Sequence, residues 1–425
     1  MPFFAEKLAG WTSIPDTFTA FFANLPYSFW LDREHHEESP FSIIGAGVPW
    51  NQTDVVIESD FRSDLPFDFL PHLVGVVNYR EKIAEPVSYS MLKVDRAFVY
   101  DHTQRWMYFV GNFAEKSQFD NWMHAALLRL ALVAGDSAAY QFEHPAATAP
   151  QLESDTHRRD YLRRISLAKN AIADGEVYQL CLTTRLRGAY SGDPFSYFLR
   201  LRSSNPAPYS SFIKLADKTI VSISPERSIT VSGKRVVSSP IKGTRARGED
   251  PELDIEVLQE LSSNPKERAE NLMIVDLIRN DLSRVCTPES VMVDSLLEVQ
   301  SYSTLHQLVS TISGELREGM TGLDALEALT PGGSMTGAPK RRAMELLLTL
   351  EDSARGSYSG GIGWIAPNGD MDLGMVIRTA IFDGDEVSIG IGGGITSDSD
   401  PEAEHEEIIL KAKALVVALG AQASW

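Results

Sequence analysis

Lys242 sits in Ser239-Pro240-Ile241-Lys242-Gly243-Thr244-Arg245, after an apolar strand-like run and before a Gly-Thr turn. A lysine at such a place can be desolvated in a pocket, which lowers its pKa and frees the lone pair for attack on carbon. A surface lysine in a turn is the plain alternative. Glu226 argues for chemistry. Residues 219–224 alternate like a strand, Ile229-Thr230-Val231 continues it, Ser232-Gly233-Lys234 is a turn signal and residues 234–238 run back. The pattern predicts a β-hairpin. Positions 226 and 242 are equidistant from position 234, so the hairpin predicts a carboxylate opposite the lysine. An acid beside a candidate nucleophile is a catalytic arrangement; a cross-strand salt bridge is the other reading.

Two acidic helices could hold a metal. In Asn264-Pro265-Lys266-Glu267 asparagine caps, proline enters the first turn and glutamate falls at the capping-box position, which predicts a helix to about Asp281. Asp400-Pro401 starts a second, to about Leu419. Glu267 and Glu270 share a face, as do Glu404 and Glu407. Facing helices with such pairs hold metals, and oxygen-only ligands suit Mg²⁺. Solvated acidic faces are the alternative.

Other candidates are single residues or loops. Gly332 and Gly337 have P-loop spacing, but Ala338 stands where the lysine is required, which excludes a nucleotide site. Gly392-Gly393-Gly394 follows a predicted strand over 386–391 and fails the dinucleotide fingerprint at Ile395. Its amides, exposed in a loop, could bind a carboxylate; a tight turn is the alternative. Arg378 ends the apolar run Gly374-Met375-Val376-Ile377, and His306 follows Tyr302-Ser303-Thr304-Leu305. By themselves these read as a surface arginine and a hydrogen-bonded core histidine.

The elements that must position these residues come from a chain of 425 residues, 43% hydrophobic and 23% charged. That is ordinary for a globular protein. No apolar run reaches the roughly 18 residues that span a bilayer, and the N-terminus lacks a signal-peptide pattern. The two cysteines, Cys181 and Cys286, make neither a disulfide framework nor a zinc spacing. A cytoplasmic location is the expectation. Asn51-Gln52-Thr53 is a glycosylation sequon by pattern only. The net charge of −19, with basic clusters only at Arg245-Ala246-Arg247 and Lys340-Arg341-Arg342, speaks against nucleic acid.

Residues 1–142 form an N-terminal region, with strand candidates over 73–79 and 97–100 and a helix over 118–132. Residues 143–154, with two prolines and no periodicity, read as a linker. Residues 155–425 open on a helix over 155–174 and then mix hairpins with helices, which predicts an α+β fold. His35-His36-Glu37-Glu38 reads as a solvated loop.

Ser224-Pro225-Glu226 followed by Pro240-Ile241-Lys242-Gly243-Thr244 resembles the chorismate-utilising enzymes, as do the blocks at 270–282, 331–340, 372–378 and 392–395. The resemblance covers about residues 157–419. It implies a layered sandwich of two antiparallel β-sheets flanked by helices, partly built by the N-terminal region. It implies Lys242 as nucleophile, Glu226 as acid and His306 as an active-site histidine. Arg378 would grip the enolpyruvyl carboxylate of chorismate, while Thr336 and Gly392, Gly393 and Gly394 would wall the pocket. Glu270 and Glu407 match direct Mg²⁺ ligands, and Glu267 and Glu404 match supporting carboxylates.

Gln179 stands where water-using members carry a lysine base; glutamine cannot deprotonate water, so ammonia is the implied nucleophile. Trp364 replaces a tyrosine that contacts substrate, and Ser228 replaces a phenylalanine. Anthranilate-forming members resemble Pro-Ile-Ala-Gly-Thr at the first block, so Lys242 resembles the branch that makes 4-amino-4-deoxychorismate for 4-aminobenzoate and folate. An anthranilate synthase is the alternative; a non-catalytic, amino-acid-binding regulatory subunit is an alternative of another class. Neither cysteine lies in a Gly-x-Cys-x-Gly motif, so a separate glutaminase subunit is expected to supply ammonia. The N-terminal region, with Asn205-Pro206-Ala207-Pro208-Tyr209, resembles the part of the family that holds tryptophan. Phe29-Trp30-Leu31-Asp32 departs from the inhibitor-sensing motif.

Overall fold

The computed structural model describes residues 2–8, 10–36, 38–50, 55, 57, 64–146, 150–248, 250–302 and 305–425. The sequon at 51–53 lies outside them.

Strands buried on both faces organise the molecule. In Tyr27–Asp32, Phe29 and Leu31 point into one apolar cluster with Ile213, Val76 and Ile362. Trp30, one residue out of phase, points into another with Phe18, Phe198 and Phe212. The period of two thus feeds two cores from one strand. The first cluster lies between two sheets. One sheet runs Phe3–Leu8, Trp106–Asn112, Tyr89–Asp101, Phe41–Trp50, Tyr27–Asp32, Tyr209–Leu215, Lys218–Ser224, Thr379–Asp383, Glu386–Ile395 and Gln179–Ala189. The other leaves the first half of Tyr89–Asp101 through Leu73–Val77. It continues with Gly361–Ile365, Met371–Met375, Arg227–Ser232, Arg235–Ser239, Leu305–Glu315 and Met292–Ser301. All these ladders are antiparallel. The expected pair of sheets is present, as branches of one hydrogen-bonded network that share the long strand Tyr89–Asp101.

Helices cover the outer faces. Arg158–Ala173, Pro194–Ser204, Lys340–Leu350 and Pro401–Leu419 contribute to the core outside the first sheet. Pro265–Ser283 and Gly322–Leu329 pack outside the second. Among the described residues no helix is long and apolar enough to cross a membrane.

The N-terminal strands are woven into these sheets rather than set apart. Tyr27–Asp32 pairs with Tyr209–Leu215, and Leu73–Val77 with Gly361–Ile365. Within the stretch expected as linker, Gln151–Ser154 is a strand, parallel to Gln422–Ser424 and antiparallel to Gln179–Ala189. The helix predicted from 155 therefore begins at Arg158.

Candidate active site

The predicted hairpin is shorter than expected. Its ladder joins Arg227–Ser232 to Arg235–Ser239 around Gly233-Lys234. Lys218–Ser224 is a separate strand, paired with Tyr209–Leu215 and Thr379–Asp383. Beyond Pro240 the chain leaves Arg227–Ser232 and keeps its other partner, Leu305–Glu315, with Ile241 opposite Val309. Hairpin register therefore does not place Lys242 opposite Glu226. A bulge does the positioning: the ladder skips between Ile241 and Thr244, and Gly243 takes the left-handed φ of 81°. Bulges re-aim side chains, and only glycine adopts that backbone freely. A Cβ at Gly243 would also approach Glu267 Oε2 to 3.1 Å.

Lys242 and Glu226 are both largely out of solvent and close enough for each charge to act on the other. Glu226 is 5% exposed and its Oε1 accepts a 2.8 Å hydrogen bond from Ser334 Oγ. Ser334 belongs to the 331–340 loop, pinned by the buried pair Lys340–Asp281 and packed at Gly333 against Leu277. Burial pushes the Glu226 carboxyl up to about 7, against the bond from Ser334 and the charge of Lys242. A carboxylic acid at neutral pH is thus available. Lys242 departs from expectation. Burial is the largest influence and works against its charge, but Glu270 at 3.4 Å, together with Cys181 and Glu226, outweighs it and holds the ammonium above the ordinary lysine range. In this state Lys242 is a cation.

The two acidic helices form as predicted. Asn264 caps Pro265–Ser283 by accepting from the amides of Lys266 and Glu267, and Asp400 caps Pro401–Leu419 by accepting from Ala403. Glu267 turns to Arg245 at 3.3 Å. Glu270 and Glu404 are buried, while Glu407 is half-exposed. Lysines interleave with them. Lys266 Nζ lies 3.0 Å from Glu404 and 4.0 Å from Glu270, and Lys411 Nζ lies 2.6 Å from Glu407. Ser399 also donates to Glu404 at 2.6 Å.

Among the described residues, no group of three or more His, Cys, Asp and Glu side chains is gathered to hold a metal ion. The donor chemistry nevertheless fits a hard divalent cation. Two buried carboxylates from different helices converge on one positive charge, at present an ammonium.

The glycine triplet is not a loop. Gly392, Gly393 and Gly394 lie inside Glu386–Ile395 and pair with Thr183, Leu182 and Cys181. They supply room. A Cβ at Gly394 would overlap Gln179 Nε2 and come within 3.1 Å of Lys242 Nζ. Gln179 is 1% exposed, yet its amide oxygen and nitrogen have no hydrogen-bond partner among the described residues. A buried amide without partners beside the lysine is a ligand-shaped gap. Arg378 has a left-handed φ of 50° and makes no ion pair among the described residues. Burial lowers its pKa, opposed by Tyr358 and Glu407, so an unpaired guanidinium stands in the same region.

Three expected contacts are placed otherwise. Trp364 faces the core between the sheets, edge-on to Phe69. Its strand neighbours Gly361, Gly363 and Ile365 take the opposite face, so it is not a wall of the Lys242 pocket. Thr336 is fully buried and its hydroxyl donates to Gly332 O at 3.1 Å, inside its own loop. His306 has both ring nitrogens engaged, Nδ1 with Ser301 at 2.7 Å and Nε2 with Asp254 at 2.9 Å. It joins strand to helix rather than touching Lys242.

His36 also departs from expectation. It is buried, 3.0 Å from Tyr209 Oη, while His35 and Glu38 are exposed as expected. Nearby, Arg33 pairs with Asp372 and lies 4.5 Å from the Tyr209 ring centre. A cavity of about 610 Å³ adjoins Arg33, His36, Trp364 and Asp372.

Sequence reasoning missed Ser334, Tyr358, Lys266 and Lys411. The two lysines carried a signal, since each lies four residues from a glutamate on a predicted helix.

Comparison with known proteins gives the family of the chain. The profile of a family described as chorismate binding enzyme matches residues 52–417. The chloroplastic aminodeoxychorismate synthase of Arabidopsis thaliana is 39% identical over 380 residues, covering 84% of this chain and 41% of its own length. An aminodeoxychorismate synthase of Streptomyces griseus is 36% identical over 387 residues, covering 88% of this chain and 54% of its own. The chain thus spans about half the length of these curated relatives. The solved anthranilate synthase component I of Streptococcus pneumoniae superposes with a TM-score of 0.75 at 28% identity, covering 85% of this chain and 83% of that one. Since the family profile spans most of the sequence and takes in Lys242, Glu226 and both acidic helices, the chain belongs to the chorismate binding enzyme family.

Proposed function

We propose that this chain converts chorismate and ammonia to 4-amino-4-deoxychorismate, as the component I of an aminodeoxychorismate synthase. The observation that carries the reading is a largely buried lysine and a buried carboxyl that act on each other's charge, Lys242 and Glu226, with the Gln179 amide, unpartnered among the described residues, next to Lys242. Lys242 passes its ammonium proton to the Glu226 carboxylate, and its Nζ bonds to C2 of chorismate. The two ring double bonds shift, the C4–O bond breaks, and Glu226 gives the proton to the departing hydroxyl, which leaves as water. Ammonia then adds at C4, the two double bonds shift back, the C2–N bond breaks, and Lys242 is released as an amine that takes a proton from the new C4 ammonium.

Arg378, unpaired, is suited to a substrate carboxylate. A Mg²⁺ ion held by Glu270 and Glu407, with Glu267 and Glu404 behind them, would present positive charge to the ring carboxylate. Gln179 has no base to offer water, which favours ammonia, and a separate glutaminase subunit would supply it. Arg33 already covers the Tyr209 ring where tryptophan would bind, which favours a chain without that regulation. Lys242 opposes the anthranilate synthase reading.

The test is to incubate the chain with chorismate, Mg²⁺ and ammonium and identify the product. 4-Amino-4-deoxychorismate is expected. Anthranilate, isochorismate or unchanged chorismate would each overturn the reading.

A further inference from the structure

Four glutamates on two helices would repel one another, and three lysines divide them. Lys266 is the one that spans both helices. It lies one turn before Glu270 on Pro265–Ser283, so helix geometry keeps its ammonium near that carboxylate. It reaches 4.0 Å from Glu270 Oε1 and 3.0 Å from Glu404 Oε1. Glu404 is 2% exposed and Glu270 7%. Two buried carboxylates without a counter-charge would be strongly unfavourable. The strand behind leaves space: a Cβ at Gly393 would stand 3.4 Å from Glu404 Oε2.

We propose that Lys266 is a tethered counter-cation that reserves the interhelical position of the divalent ion. Entry of the metal and departure of the still-charged lysine are then one exchange. Nothing is protonated or released; one positive charge leaves the carboxylates and a doubly charged one arrives. The lysine keeps the empty site folded and at the same time competes with the ion, so it sets the metal affinity. This rests on the metal reading above.

The experiment is Mn²⁺ binding, read by electron paramagnetic resonance, together with melting in the presence of chelator, on the parent chain, Lys266→Met, Lys266→Gln and Lys266→Arg. Removing the competitor in the Met and Gln variants should tighten Mn²⁺ binding about tenfold, because ligand charge governs affinity for hard ions. The same variants should melt lower in chelator and recover with Mg²⁺. Lys266→Gln keeps a donor toward Glu404, so it tests the charge if the Met variant does not fold. Lys266→Arg, with its charge retained, should bind Mn²⁺ like the parent. Unchanged or weaker binding in the neutral variants, with the parent binding normally, overturns the counter-cation. Absence of Mn²⁺ binding in the parent and every variant overturns the metal reading itself, and the counter-cation with it.

Discussion

At the scale of residues, the acid and the nucleophile are held in opposite charge states from those of free side chains in only one case. Glu226 is shifted to about 7 by burial, whereas Lys242 stays cationic because Glu270 neighbours it. Glu226 therefore binds a proton in the folded chain where an unfolded glutamate has lost it. Stability from that proton is full below the ordinary glutamate range and declines as pH rises through about 7. Glu226→Gln should remove this decline, gaining about 2 kcal/mol on the parent by pH 8. The same change should slow amination about 100-fold or more. Melting curves from pH 5 to 8 and initial rates check both; parallel pH profiles of the two proteins would refute the buried acid. Lys242→Ala should abolish the covalent adduct with chorismate and leave metal binding in place. Mass spectrometry after trapping decides it, and full adduct in the variant would remove Lys242 as nucleophile.

At the scale of elements, the strand Glu386–Ile395 lies close to side chains of the site, with Gly393 near Glu404 and Gly394 near Lys242, and Lys242 and Lys266 carry it to the two capped helices. The strand contributes absence of side chains. Gly394→Ala would drive a methyl group into Gln179 Nε2 and toward Lys242 Nζ, both flexible ends. The expected loss of stability is small, about 1 kcal/mol, and the loss of activity more than tenfold; equal losses in a distant glycine such as Gly10, whose Cβ position meets only Leu8 Cγ at 3.9 Å, would deny the site its special role. The helices contribute charge. Glu270→Gln and Glu407→Gln should each weaken the Mg²⁺ requirement of the ammonium reaction more than Glu318→Gln does. Unchanged apparent Mg²⁺ constants in both would contradict the assignment.

At the scale of the whole molecule, the N-terminal region is structural to the site. Phe18 is fully buried and packs its ring against Trp30, Phe195 and Phe212, which tie the first helix to later strands and helices. Residues 143–425 expressed alone would bare the paired edges of Tyr209–Leu215 and Gly361–Ile365. That fragment is expected to aggregate or lack cooperative melting, and a soluble, active fragment would show that the region is dispensable. The full chain should aminate chorismate with ammonium salts and not with glutamine, and should use glutamine once a cognate glutaminase is added. Product formation with each nitrogen source reads this out; glutamine use by the chain alone would contradict a two-subunit enzyme.

The sequence alone determined the parts whose causes are local. Asn264-Pro265 and Asp400-Pro401 start helices because a side-chain acceptor and a fixed φ act within one turn. The same helices carry Glu270 and Glu407, so the acidic pairs were legible too, as was the mixture of hairpins and helices. Tertiary structure decided what depends on neighbours distant in sequence. Lys242 is placed not by hairpin register but by a bulge in Ile241–Ala246, where that strand pairs with Leu305–Glu315. Gly392, Gly393 and Gly394 became strand because Cys181–Thr183 supplies a ladder that no local pattern announces. Trp364 turned inward because its strand lies between two others and buries both faces. The charge of Lys242 was the hardest to foresee. Desolvation and the Glu270 field have opposite signs, and only their distances in the folded chain determine which prevails.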